Sequence, residues 1–138
     1  MFQRFHKARQ EREGGFTLIE LLVVILIIAI LAAIAIPVFL AQRKKGWNGQ
    51  VQSALKNAAT AAESFATDNN GDYTGVTLAD LQAEGLKSAS SVTVAVASAT
   101  SSDYCITATH ADLTDPGDEW AVGSYDSDDG EPDSANAC

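Results

Sequence analysis

The stretch that decides the fold is GGFTLIELLVVILIIAILAAIAIPVFLA, residues 14–41. Within it, Leu21–Ala41 is a run of 21 residues without a polar side chain. As an α-helix this run is about 31 Å long, which is enough to cross the hydrocarbon core of a bilayer. A helix on the surface of a soluble protein has a polar face, and this run has none. The segment therefore belongs in lipid or in a dry bundle of its own kind.

Glu20 lies directly before this apolar run. An ionised carboxylate is costly to bury at membrane depth, so Glu20 is a candidate functional residue. The leader that precedes the segment ends in Gly14-Gly15 and contains four basic residues: Arg4, Lys7, Arg9 and Arg12.

This arrangement resembles the class III signal of type IV prepilins. The resemblance implies that a prepilin peptidase cuts after Gly15 and methylates the new N-terminal residue, Phe16. It also implies that Glu20 acts in filament assembly and that Pro37 bends the helix, as a proline does in many pilins. The resemblance is close over residues 14–43. After residue 43 only the general order of the elements is similar, so the resemblance indicates the family and not the particular pilin.

Two other interpretations of this segment compete with the prepilin signal. A secretory signal has a basic region, an apolar region and a cleavage motif, for which Ala33-Ile34-Ala35 would serve. However, such an apolar region needs only about 7–15 residues, and here it would also contain Glu20. A plain single-pass anchor would need neither Gly14-Gly15 nor Glu20. We therefore favour the prepilin signal.

The charge of the chain argues against nucleic-acid binding. Once residues 1–15 are removed, five Lys and Arg residues face sixteen acids, a net charge of −11. From Ser88 to Cys138 there are ten acids and no Lys or Arg. Binding to nucleic acid needs Lys and Arg to displace counterions from the phosphates, so we expect no direct nucleic-acid partner.

The two cysteines, Cys105 and Cys138, lie in the part of the chain that we expect outside the cytoplasm. An oxidising compartment and a small core favour a disulfide between them. In the loop-entropy account this bond contributes on the order of 3–4 kcal/mol. His6 and His110 are isolated, so we interpret both as structural and expect no metal site.

The acidic loop at 126–131 superficially suggests a calcium site. It lacks the twelve-residue ligand spacing of the helix-loop-helix site, although some pilin relatives in secretion systems bind calcium in this region. We interpret it as a solvated loop, and calcium binding there stays open.

The residues after the apolar run predict that the helix continues to Asp68 with one face buried. Positions three and four apart carry the residues of this face: Val51, Leu55, Ala58, Ala59, Ala62, Phe65 and Ala66. Turn residues follow at 69–72, and a capping-box pattern predicts a short helix over Thr77–Glu84, with Gly85 as its stop. Trp47 suits either a membrane interface or packing within the body.

Three strand candidates follow the short helix. Their apolar residues alternate: Val92, Val94 and Val96; Tyr104, Ile106 and Ala108; Trp120 and Val122. A small sheet with one apolar face needs a helix to cover it, and the amphipathic half of the long helix provides that cover. The fold class is therefore α+β: a long N-terminal helix, membrane-spanning and then amphipathic, packed on a small antiparallel sheet of about three strands, the pilin fold.

These elements predict three parts of the chain. Residues 1–15 form a cleaved leader, residues 16–42 a transmembrane and filament-core helix, and residues 43–138 an extracytoplasmic globular domain. That domain consists of the amphipathic helix at 43–68, an αβ-loop at 69–90, and the sheet with an acidic C-terminal loop at 91–138.

No catalytic motif stands out in the chain. A nucleophile motif such as G-x-S-x-G and a glycine-rich phosphate loop are both absent from the sequence, so we expect neither an enzyme nor a cofactor.

The resemblance implies a structural subunit of a type IV pilus-like filament. Its partners would be further copies in a helical homopolymer, the prepilin peptidase, and the pilus assembly platform with its motor ATPase. The monomer would span the cytoplasmic membrane once and reach the cell surface on assembly. Two alternatives remain: a type II secretion pseudopilin, and a minor or tip pilin that binds a ligand such as DNA or a surface.

Overall fold

The computed structural model describes residues 14–134 and Cys138. The expectations for His6 and for the first thirteen leader residues lie outside the described residues. The chain divides between Leu40 and Ala41 into two compact units. We call residues 41–138 the body and the described residues before them the apolar segment.

The first helix, α1, spans Leu18–Asp68 and has 51 residues. The predicted end at Asp68 is confirmed. The helix ends because Asn70 and Gly71 adopt left-handed backbone conformations, with φ of 58° and 83°. The Gly71 N–H then donates to the Ala66 carbonyl at 2.7 Å, which satisfies a carbonyl that the last turn leaves open. Pro37 lies inside the helix, and the bend expected there stays a prediction.

Within the body, α1 buries a face made mostly of alanine. Its buried residues include six alanines together with Val51 and Leu55. Phe65, predicted on the same face, is half-buried and packs against the core. Small side chains let another layer approach the helix backbone closely, as the prediction of a sheet laid on the helix requires.

The second helix, α2, spans Leu78–Ala83 and confirms the predicted capping box. The Thr77 hydroxyl accepts from the Asp80 N–H, and the Asp80 carboxylate accepts from the Thr77 N–H at 2.8 Å. Gly85 follows the helix with φ of 97°, a conformation that glycine adopts without a Cβ penalty.

An antiparallel sheet in the order β1-β2-β3-β4 completes the body. The strands are β1 (Val92–Ala99), β2 (Tyr104–His110), β3 (Val122–Asp126) and β4 (Pro132–Asp133). The α+β class is confirmed, and the two-residue β4 is one strand more than the sequence indicated.

The third strand differs from its predicted orientation. Trp120 is buried but precedes β3, whereas Val122 is 39% exposed. Gly123 is paired with Ala108 and takes the inward position. A Cβ at Gly123 would lie 2.8 Å from Val51 Cγ1 and 3.0 Å from Leu55 Cδ1. The predicted inward position of Val122 is therefore wrong, because α1 comes too close at this point for a side chain on the strand.

The predicted disulfide joins Cys105 of β2 to Cys138, with the two Cα atoms 6.0 Å apart. It closes a loop with a sequence separation of 33 residues that includes β3 and β4. This bond fastens the acidic end of the chain to the middle of the sheet.

Candidate assembly site at the start of the first helix

The apolar segment exposes nearly all of its side chains. Along Leu18–Leu40 the large apolar side chains are between 45% exposed, at Val23, and 82% exposed, at Leu18. Among the described residues, α1 is also the one helix long and apolar enough to cross a membrane. Such a surface is unstable in water and needs lipid or other apolar helices around it.

Glu20 caps the helix that it belongs to. Its Oε2 accepts from the Thr17 N–H at 2.7 Å and from the Thr17 hydroxyl at 2.8 Å, while Thr17 Oγ1 accepts from the Glu20 N–H at 3.3 Å. This reciprocal arrangement is a capping box, with Thr17 at the cap and Glu20 three residues later. This role of Glu20 was not predicted, although the pattern Thr17-Leu18-Ile19-Glu20 carries the signature of a capping box.

The bond between Gly15 and Phe16 lies outside any helix. Residues 14–17 have no regular structure, and α1 begins only at Leu18. Both glycines are exposed, and the Phe16 side chain is 86% exposed. A protease can therefore reach this backbone in an extended form without unwinding the helix.

A tyrosine cluster joins the buried Tyr104 and the half-buried Tyr73 to the exposed Glu63. The Tyr104 hydroxyl donates to Glu63 Oε1 at 3.1 Å, and the Tyr73 hydroxyl donates to Glu63 Oε2 at 2.9 Å. Burial raises the pKa of Tyr104 well above its usual value, and the nearby Glu63 carboxylate raises this pKa further. A phenol that resists ionisation acts here as a structural hydrogen-bond donor to the Glu63 carboxylate.

His110 is also part of the packing, as the sequence analysis interpreted it. Its side chain is buried, and its ring stacks on Trp47 with the centroids 5.5 Å apart. The ring Nδ1 accepts from the Asp112 N–H, so the Nε2–H donates to Gln50 Oε1 at 3.1 Å. Trp47 is thus half-buried within the body, which favours the packing alternative for it.

The acidic loop brings like charges together without forming a metal site. Asp103 raises the pKa of Asp128, by its charge and by a hydrogen bond, and Asp126 and Asp129 add to this effect. Across residues 14–134 and Cys138, no group of three His, Cys, Asp or Glu side chains has the arrangement of a metal site.

Comparison with known proteins places this N-terminal arrangement in a family. Residues 11–36 match the family described as the prokaryotic N-terminal methylation motif. The chain is 47% identical over 98 residues to the type IV wide pilus major component PilA4 of Thermus thermophilus, covering 70% of this chain and 73% of that protein.

Two shorter matches point the same way. The type IV major pilin protein PilA of Myxococcus xanthus is 44% identical over 59 residues, covering 43% of this chain and 27% of that protein. The fimbrial protein EcpB of Eikenella corrodens is 46% identical over 54 residues, covering 39% of this chain and 34% of that protein. The chain therefore belongs to the type IV pilin family.

Proposed function

We propose that this pilin is a structural subunit of a type IV pilus-like filament, polymerised through α1 after removal of residues 1–15. The observation that carries the proposal is the apolar segment, whose large side chains are exposed on all sides. Its helix begins at Leu18, two residues after an accessible Gly15–Phe16 bond. A filament core made of such helices removes this surface from water without any other element of the chain.

The proposal assigns a role to each part of the chain. Residues 16–42 hold the monomer in the cytoplasmic membrane by a single span and later form the filament core. Residues 43–138 form the extracytoplasmic domain, which reaches the cell surface on assembly. The prepilin peptidase and the assembly platform with its motor ATPase are the further partners, and the chain acts without enzymatic activity of its own.

Glu20 and Phe16 have linked roles in this proposal. Cleavage after Gly15 frees the amine of Phe16, which then becomes N-methylated. In the filament, the Glu20 carboxylate forms an ion pair with the Phe16 amine of a neighbouring subunit, and this pair fixes the register between the two chains. In the separate chain the carboxylate is occupied by Thr17, so assembly adds a charged partner to a group that is already held in place.

The test compares Glu20→Ala with Thr17→Ala in cells. Both substitutions disrupt the capping box, but only Glu20→Ala removes the carboxylate. We expect normal amounts of processed protein in the membrane for both variants, and few or no filaments for Glu20→Ala alone. Immunoblots and electron microscopy of the same cells measure both quantities. Equal filament loss in the two variants would assign Glu20 to helix capping, and abundant filaments from Glu20→Ala would refute the pairing.

Two further tests address the processing step and the question whether this protein is a major pilin. Mass spectrometry of the N-terminal peptide should find N-methylated Phe16, whereas a start at Ile36 would indicate ordinary signal cleavage. Identification of the main protein of purified filaments distinguishes a major pilin from a pseudopilin or a tip pilin.

A further inference from the structure

The charges of this pilin are segregated along the chain. Four of the five Lys and Arg residues that follow the leader lie in Gln42–Ala62 of α1, a stretch with no Asp or Glu. Ten of the sixteen acids lie after Ser88, where there is no Lys or Arg. A chain that only needed solubility would not require this separation, since interspersed charges serve that purpose equally well.

Two of these four cations are used within the subunit. The Lys44 ammonium lies 2.6 Å from the buried Asp118 carboxylate and 2.8 Å from that of Asp115. The Arg43 guanidinium lies over the Trp47 ring, 4.9 Å from its centroid. Both side chains therefore have partners in the body.

The other two, Lys45 and Lys56, form a cationic row on the outer face of α1. Both side chains are exposed, and no carboxylate among the described residues lies within ion-pair distance of either ammonium. Eleven residues of helix place them about 16 Å apart and within about 20° of the same face. This unpartnered helix face thus presents two positive charges and no negative charge between them.

The acidic loop, Asp126–Glu131, has the opposite character. It holds four carboxylates in six residues, and none of them has a cationic partner among the described residues. The neighbouring Asp103 raises the pKa of Asp128 by its charge and by a hydrogen bond, and the loop's own Asp126 and Asp129 add to this effect.

The loop lies at the Tyr104 end of β2, and the Lys45 end of the row lies nearer the His110 end. Ser127 is bonded to the backbone of Tyr104, whose hydroxyl reaches Glu63 near the C-terminal end of α1. At the other end of the same strand, His110 contacts Gln50, which lies between the two lysines of the row. Within one copy, none of the four loop carboxylates lies within ion-pair distance of Lys45 or Lys56.

We infer that the cationic row of one subunit binds the acidic loop of a second copy of this chain. The contact would be heterologous, since the two surfaces differ, and repetition of a heterologous contact generates a filament where the rotation between copies does not close a ring. A second copy is the occupant because it supplies the complementary charge, and because bodies of net negative charge repel each other except where a cation intervenes. The inference rests on the proposed function, since it places the contact within the filament.

The experiment reverses the charge at one lysine position and then restores charge complementarity by reversing charges in the loop. Lys56→Glu is compared with Lys87→Glu, which makes the same charge change on the segment after α2. The compensating variant combines Lys56→Glu with Asp128→Lys and Asp129→Lys. Its control combines Lys56→Glu with Asp68→Lys and Glu119→Lys, two exposed acids outside the loop that have no ion-pair partner in the described part of the chain. Filaments are counted by electron microscopy relative to processed protein in the membrane.

We expect Lys56→Glu to reduce filaments per membrane protein by about tenfold or more, because like charges then face each other across the contact. Lys87→Glu should stay close to wild type. The loop-compensated variant should recover most of the loss, and its control should not. The milder Lys56→Gln should show a smaller loss, so that the contact can be scored even if Lys56→Glu lowers the amount of protein.

Other outcomes overturn the inference. Wild-type filament numbers from Lys56→Glu, equal losses from Lys56→Glu and Lys87→Glu, or equal recovery by the compensating variant and its control would each do so. A loss of membrane protein with an unchanged filament ratio would assign the row to anionic lipid headgroups instead. Absence of filaments from the wild-type chain would refute the proposed function itself, which is a different result from any of these.

Discussion

The two halves of α1 are continuous in the chain but differ in what surrounds them. From Leu18 to Leu40 every large apolar side chain is exposed, whereas from Ala41 to Asp68 eight residues are buried, six of them alanine. The first half consists mainly of bulky aliphatic residues, and the second half buries mainly small ones. A helix that is covered by lipid or by other copies needs large apolar side chains on all its faces. A helix that is covered by the sheet of its own subunit needs small side chains on one face, so that the sheet can come close to it.

The largest expected effect comes from placing the same substitution in each half. Leu55 is fully buried and Leu26 is 53% exposed. Leu55→Ala should lower the free energy of unfolding of the body by about 2–5 kcal/mol, because it removes core contacts and leaves a cavity. Leu26→Ala should leave that quantity nearly unchanged.

Denaturant titration of the full chain in detergent micelles measures this difference. The fluorescence of Trp47 and Trp120 reports on the body, since both tryptophans lie after Ala41. A comparable loss from Leu26→Ala would contradict the division between the two halves.

Two glycine substitutions compare the buried face of the second half of α1, which Gly123 of β3 contacts, with the outer face, which carries Gly49. A Cβ at Gly123 would lie within 3.0 Å of atoms of Val51, Leu55 and Trp120, whereas a Cβ at Gly49 has nothing within 4 Å. Gly123→Ala should therefore destabilise the body by about 1–3 kcal/mol through overpacking. Gly49→Ala should stabilise it by up to about 1 kcal/mol, since glycine is the poorer helix former.

The signs of these two changes are the test, read from the same fluorescence titration in micelles. If Gly123→Ala were neutral, the sheet would have room to move away from α1. If Gly49→Ala were destabilising, something would have to contact that outer face in the monomer.

The smallest effect concerns pH and the tyrosine cluster. Because the pKa of Tyr104 is raised on folding, the unfolded chain ionises first above about pH 10, and stability falls as the pH rises further. The raised pKa values of Tyr73 and Lys44 act in the same direction. Tyr104→Phe should cost about 1 kcal/mol at neutral pH, through lost hydrogen bonds, and should flatten the alkaline decline.

Unfolding curves of Tyr104→Phe and wild type at several pH values from neutral to alkaline check this prediction. An alkaline decline of the same steepness in Tyr104→Phe and wild type would show that another group governs it.

Local signals in the sequence predicted much of the fold. The end of α1 at Asp68 follows from Asn70 and Gly71, whose left-handed conformations the turn pattern anticipates. The capping box of α2 and the start of β1 and β2 were also predictable, because each depends on residues close together in the chain. The disulfide followed from two cysteines in a part of the chain that we expected to lie in an oxidising compartment.

What the sequence could not supply depends on contacts between distant residues. The orientation of β3 follows from the approach of α1 to Gly123, which periodicity within the strand does not reveal. The packing of His110 on Trp47 joins residues from β2 and α1. The role of Glu20 as a helix cap is different, since the Thr17–Glu20 pattern is local and its signature is present in the sequence.

The close approach at Gly123 has a consequence for how pilins of this kind can diverge. The space between strand and helix is shared by Gly123, Val51 and Leu55, so a larger residue at one position requires a smaller one at another. Among homologous sequences, positions 51 and 123 should therefore vary together, with alanine or glycine at 51 wherever 123 carries a side chain. Surface positions such as Lys87 should change without regard to either.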